Sequence, residues 1–111
     1  MAADWKSAYA DMQVRGEAAF PPAGLHYVLQ LTRLAAQVHE GHAITPEQLL
    51  EDFRRQTRRD FGALVSTVLE DWKFHSPEDL GRAVVLLGQY GCLTLDAADT
   101  VESFSLLGTE L

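Results

Sequence analysis

Apolar residues recur at helical spacing along most of this chain. Trp5, Ala8, Tyr9 and Met12 fall at i, i+3, i+4 and i+7 behind Asp4, a residue suited to cap a helix, so the first element is a short amphipathic helix that should dock on something. Gly16 and the Pro21-Pro22 pair end that unit, because proline fits the first turn of a helix and not its interior. A second helix is predicted from about Pro22 to Glu40, with Tyr27, Val28, Leu31, Leu34, Ala35 and Val38 in one broad stripe that Leu25 and Leu29 widen. Such a helix is central. Gly41 stops it, and His42-Ala43-Ile44 is long enough only for a strand stub.

Thr45-Pro46-Glu47-Gln48 is the sharpest local signal: an N-cap, a proline at the first helical position and a glutamine three residues beyond the cap. The helix it opens turns Leu49, Leu50 and Phe53 inward and ends near Asp60. Phe61, Leu64, Val65, Val68, Leu69 and Trp72 then predict a further helix with an uninterrupted buried face. Ser76-Pro77-Glu78-Asp79 repeats the start grammar, with Asp79 placed as the capping-box acid. Leu80, Ala83, Val84, Val85, Leu86 and Leu87 make that helix apolar around most of its middle, so it must be covered on more than one side. Beyond Gly88 and Gly91, Cys92-Leu93-Thr94-Leu95 alternates like a short strand, Asp96 to Asp99 suits one helical turn, and Ser103 to Leu107 alternates again. Gly108 to Leu111 should fray.

The expectation is a mainly α, compact helical domain of about five helices with a small C-terminal β-hairpin, in an order that suits a winged-helix-like arrangement with one helix added. At 111 residues and 47% hydrophobic content, the chain forms a single domain, 1–111, with residues 1–15 as a docking helix and 22–107 as the core.

Charge narrows the function. Sixteen acids against nine Lys and Arg give −7, which repels phosphate backbones and anionic lipid, so nucleic acid is an unlikely partner and no membrane is expected. The charge is uneven: residues 51–60 carry three acids and four bases, whereas residues 70–111 carry eight acids and two bases. The helix after Ser76, which a winged helix would use to read DNA, therefore offers Glu78 and Asp79 to the groove. Arg54, Arg55, Arg58 and Arg59 stack at i,i+4 and are the one cationic cluster, able to grip a phosphate or an acidic partner. The plainer reading is a solvated face neutralised by Glu47, Glu51 and Asp60.

Catalytic signals are absent from the pattern. His39 and His42 lie one residue short of zincin spacing with Gly41 between them, His26 and His75 stand apart, and Asp96, Asp99 and Glu102 do not fit an EF-hand loop, so no metal or other cofactor is expected. Cys92 is the lone cysteine, set in an apolar stretch as a buried inert thiol. No nucleophile elbow or phosphate loop is present. A polar, mixed-charge N-terminus without a signal peptide and a lone cysteine suggest a cytoplasmic setting.

Phe61-Gly62, Val68-Leu69, Trp72, Asp79-Leu80-Gly81, Val84-Val85, Gly91, Leu93, Asp99 and Phe104, with Tyr27-Val28-Leu29 earlier, fall in the order of an uncharacterised bacterial family, the Planctomycetes and Verrucomicrobia conserved hypothetical proteins, which this chain resembles over most of residues 22–104. It departs at Lys73, where the family favours glycine, and lacks the family's aromatic-rich tail. The resemblance implies a bacterial cytosolic protein and carries no activity with it.

Together these readings favour a noncatalytic protein-protein interaction or scaffold domain, with a homodimer among the options. Its contact surface would be the stripe of Trp5, Tyr9 and Met12 or the helix around Val85 and Leu86. The alternative is a winged-helix-like regulator contacting nucleic acid or another anionic partner through Arg54, Arg55, Arg58 and Arg59. An enzyme would need a polar pocket joining His39 or His42 to distant acids.

Overall fold

The structure is a computed structural model that describes residues 4–38 and 44–111. Its elements in chain order are α1 (Trp5–Val14), α2 (Pro22–Val38), α3 (Pro46–Phe61), a 3-10 turn (Gly62–Leu64), α4 (Val65–Asp71), α5 (Pro77–Gln89) and α6 (Val101–Ser105). Helices α2, α3 and α5 pack around one core built from Leu25, Val28 and Leu29 of α2, Leu50 and Phe53 of α3, and Leu80, Val84 and Leu87 of α5.

The starts follow the sequence grammar. Ser7 N–H donates to the Asp4 carboxylate at 3.3 Å, and at α3 the Thr45 hydroxyl accepts from Gln48 N–H while Gln48 Oε1 accepts from Thr45 N–H, at 3.1 and 3.0 Å. The Asp79 carboxylate accepts from the N–H groups of His75 and Ser76 at the start of α5. Each satisfies backbone donors that the first helical turn leaves without partners.

Three helix ends share one closing device. After α1, α4 and α5 the chain enters the left-handed region at Gly16, Lys73 and Gly91, and the next N–H reaches back to Met12, Leu69 and Leu87 carbonyls at 2.8, 2.9 and 2.9 Å. This is the Schellman pattern, which favours glycine because a Cβ is crowded there. Lys73, without the freedom of glycine, holds φ +63° there. The residues on either side of it, Trp72 and Phe74, both pack against Gly24 of α2, where a Cβ would stand 3.0 and 3.5 Å from them.

The expected C-terminal β-hairpin does not form. Among the described residues there is no strand, and the winged-helix arrangement loses its sheet. Ser103–Leu107 alternates, but Val101, Phe104 and Leu107 also recur every three residues, and the Thr100 hydroxyl accepts from Ser103 N–H at 3.0 Å to cap α6. With that segment helical, Cys92–Leu95 has no strand to pair with and runs as a loop whose Leu95 side chain seats on Gly88. His42 and Ala43 of the strand stub lie outside the described residues; Ile44 is not in a strand.

Two smaller differences concern α4 and the tail. Gly62 interrupts the predicted 61–72 helix with a 3-10 turn, which leaves Leu64 exposed and Leu69 as the buried residue of α4. Gly108–Leu111 is anchored, with the Glu110 carbonyl accepting from the Arg54 guanidinium at 2.5 Å and Leu111 packed half-buried on the core.

Candidate functional site

The residues singled out as contact surface divide between core and rim. Met12 is fully buried and Leu86 is 9% exposed, so both belong to the interior of this chain rather than to an outward face. Trp5 and Tyr9 are half-buried and hold α1 in place: their rings lie 5.5 Å apart, Trp5 lies 5.5 Å from the His26 ring of α2, and the Tyr9 hydroxyl donates to the Phe20 carbonyl at 3.3 Å. Val85 is half-buried and shares a side of α5 with Gly81 and Gly88, both of which are covered. A Cβ on Gly81 would stand 2.7 Å from Phe104 Cβ, and one on Gly88 would stand 2.3 Å from Leu95 Cγ. The second apolar side of α5 is thus sealed by the chain's own α6 and the loop before it.

The four arginines are also divided. Arg54 is turned to the tail through its bond to Glu110, and Arg55 pairs with Asp52 on the same helix. Arg58 and Arg59 pair with no carboxylate among the described residues, and both stand in the last turn of α3, where the helix dipole favours cations. They do not form one grip.

A cavity of about 650 Å³ lies between α2 and the 92–99 loop, lined by Thr32, Arg33, Ile44, Val84, Cys92 and Asp96 among others. Three of its polar side chains, Asp96, Asp99 and Thr32, accept from or donate to the backbone. Asp99 accepts from Asp96 N–H at 2.8 Å, Asp96 accepts from Ala97 N–H at 2.6 Å, and the Thr32 hydroxyl donates to the Leu29 carbonyl at 2.8 Å. Burial pushes the Cys92 thiol above its ordinary range; the charge of Arg33 opposes that shift and Asp4 reinforces it. A thiol held neutral in this way is a poor nucleophile. His39 and His42, the metal candidates, lie outside the described residues, and no group of three or more metal-binding side chains occurs among the described ones.

The remaining feature lies within the apolar stripe that the sequence predicts as central to α2, part of which the structure leaves exposed. Along α2, Tyr27, Leu31, Leu34 and Val38 form a single row at i, i+4, i+7 and i+11, facing α3. Its first half is covered. The Tyr27 hydroxyl donates to Asp60 at 2.8 Å, its ring lies 6.2 Å from that of Phe53, and Leu31 is buried. Burial first, then the hydrogen bond and charge of Asp60, push the Tyr27 hydroxyl well above its ordinary range. The second half is open, with Leu34 47% and Val38 70% exposed. These two stand over a groove of about 310 Å³ whose floor is Leu31 and Ala35 and whose far bank is Asp52, Arg55 and Gln56. The signal available in the sequence was the width of the α2 stripe, which exceeds what one core face needs.

No protein-family model, curated protein or solved structure matches this chain. No described helix is long and apolar enough to cross a membrane.

Proposed function

We propose that this chain is a noncatalytic interaction domain whose contact surface is the groove between α2 and α3. The observation that carries this reading is the pair Leu34 and Val38, exposed one helical turn apart beside a concave surface. The other strongly exposed apolar residues, Val14, Leu64 and Leu106, stand singly on separate elements. Isolated apolar residues are ordinary on a surface; neighbouring ones rimmed by polar groups mark contact sites. Engagement of both carboxylates at the larger cavity and a protonated thiol there favour this reading over catalysis. The division of the arginines between tail and groove favours it over a shared grip on nucleic acid.

Photo-crosslinking tests it. A benzoylphenylalanine at position 34, compared with one at the exposed Gln89 of α5, should give a discrete heavier adduct in the native cell from position 34 alone. Equal labelling at both positions, or none at 34, would refute the assignment.

A further inference from the structure

We infer that the cavity between α2 and the 92–99 loop holds a small aliphatic carboxylate, its chain against Leu49, Val84 and Leu95 and its carboxylate turned to Arg33 and the Cys92 thiol. The site is separate from the groove between α2 and α3 and does not depend on it. Shape comes first. At about 650 Å³ the cavity lies within the range of small-molecule sites, roughly 300–1,000 Å³. Leu49 of α3, Val84 of α5 and Leu93 and Leu95 of the loop wall its apolar side. Among the described residues no aromatic side chain lines it, so a flat ring would find no platform to stack on, whereas a flexible hydrocarbon chain suits these branched walls.

Hydrogen bonding then selects the head group. The acids at the cavity are engaged, Asp99 by the Asp96 N–H and Asp96 by the Ala97 N–H, and the Thr32 hydroxyl donates to the Leu29 carbonyl. The remaining donors are not. Cys92 lines the cavity at 4% exposure, and its thiol has no hydrogen-bond partner among the described residues. Arg33 lines it too, and its guanidinium pairs with no carboxylate among them. The charge of Arg33 is felt at the thiol, so both donors serve one end of the cavity. A protonated thiol and a guanidinium are matched by an oxygen that only accepts. An ammonium there would meet the Arg33 charge and leave the thiol proton without an acceptor. Asp96 and Asp99, on the loop bank, repel an anion and so turn the carboxylate toward α2.

Isothermal titration calorimetry of the full chain against octanoate, octylammonium and octanol tests this, because the three share a chain and differ in head group. Octanoate should bind at least about tenfold more tightly than either of the others, as a charge-assisted hydrogen bond implies, with the preference shrinking as salt rises. Arg33→Gln, at an exposed position, should remove the preference at unchanged melting temperature. Asp96→Asn keeps the hydrogen bond from Ala97 through its amide oxygen; it should tighten octanoate about twofold and weaken octylammonium. Ala36→Trp, exposed on α2 at the cavity wall, fills the space from outside the core and should abolish octanoate binding. If Ala36→Trp lowers the melting temperature, Thr94→Trp on the loop bank gives the same reading.

Octylammonium binding as tightly as octanoate would overturn the inference, because the acids and not the donors would then choose the ligand. So would octanoate binding that survives filling of the cavity or is unchanged in Arg33→Gln. Neither heat nor a shift in melting temperature with octanoate at millimolar concentration would overturn it as well.

Discussion

Helices α5 and α2 both carry more apolar surface than one core face requires, and the chain treats the excess in opposite ways. On α5 the second side is closed by Phe104 and Leu95, seated on Gly81 and Gly88, so that a helix apolar nearly all round ends up interior. On α2 the excess row is closed by α3 at Tyr27 and Leu31 and left open at Leu34 and Val38. An apolar stripe therefore does not identify a binding face by itself. What distinguishes the two is whether a short segment elsewhere in the chain has side chains that fit over it.

The sharpest way to break the contrast is to remove the seal on α5. Phe104→Ala deletes a fully buried ring and should cost about 3–5 kcal/mol in a urea titration, leaving α5 as open as the end of α2. Gly81→Ala should cost about 1–3 kcal/mol despite alanine's better helix propensity, because the added methyl meets Phe104 at its Cβ, which moves only with the α6 backbone. Gly88→Ala should cost a similar amount, because the added methyl meets Leu95 at its Cγ branch point, 2.3 Å away, and the whole side chain must turn aside.

On α2, the closed end of the row depends on Tyr27. Tyr27→Phe keeps the ring against Phe53, Phe61 and Trp72 but removes the hydrogen bond to Asp60, for a loss of about 1 kcal/mol at neutral pH. The fold favours the neutral phenol, so this contribution is present below the ordinary tyrosine value of about 10 and is lost as pH rises above it. Stability of the wild type should therefore fall more steeply than that of Tyr27→Phe between pH 9 and 11, as read by denaturation midpoints. Smallest of all, Leu34→Ser with Val38→Ser should shift stability by no more than about 0.5 kcal/mol in the same titration. A loss of several kcal/mol there would mean that the open end is core after all.

How much of this was legible in the sequence follows from how local each signal is. The caps at Asp4, Thr45 and Asp79 and most core residues of α2, α3 and α5 depend on residues within a few positions of one another, and the structure places them as their spacing predicts, except that Leu34 and Val38 of the α2 stripe are exposed. The C-terminal region is ambiguous in sequence because Ser103–Leu107 fits two periods at once. Contact with Gly81, 23 residues from Phe104, was not visible in either. The role of Gly81 and Gly88 as sockets depends on partners distant in the chain, Phe104 and Leu95. Spacing on α3 clusters the arginines, but their division depends on where the tail lies.

The single thiol offers a way to time these events. Cys92 lies at the base of the segment that closes α5, 4% exposed, and burial keeps it protonated. Alkylation must wait for that segment to lift, so the labelling rate at fixed pH reads the opening equilibrium of the seal while the rest of the molecule stays folded. The protein thus carries one intrinsic reporter, placed under the segment that seals α5.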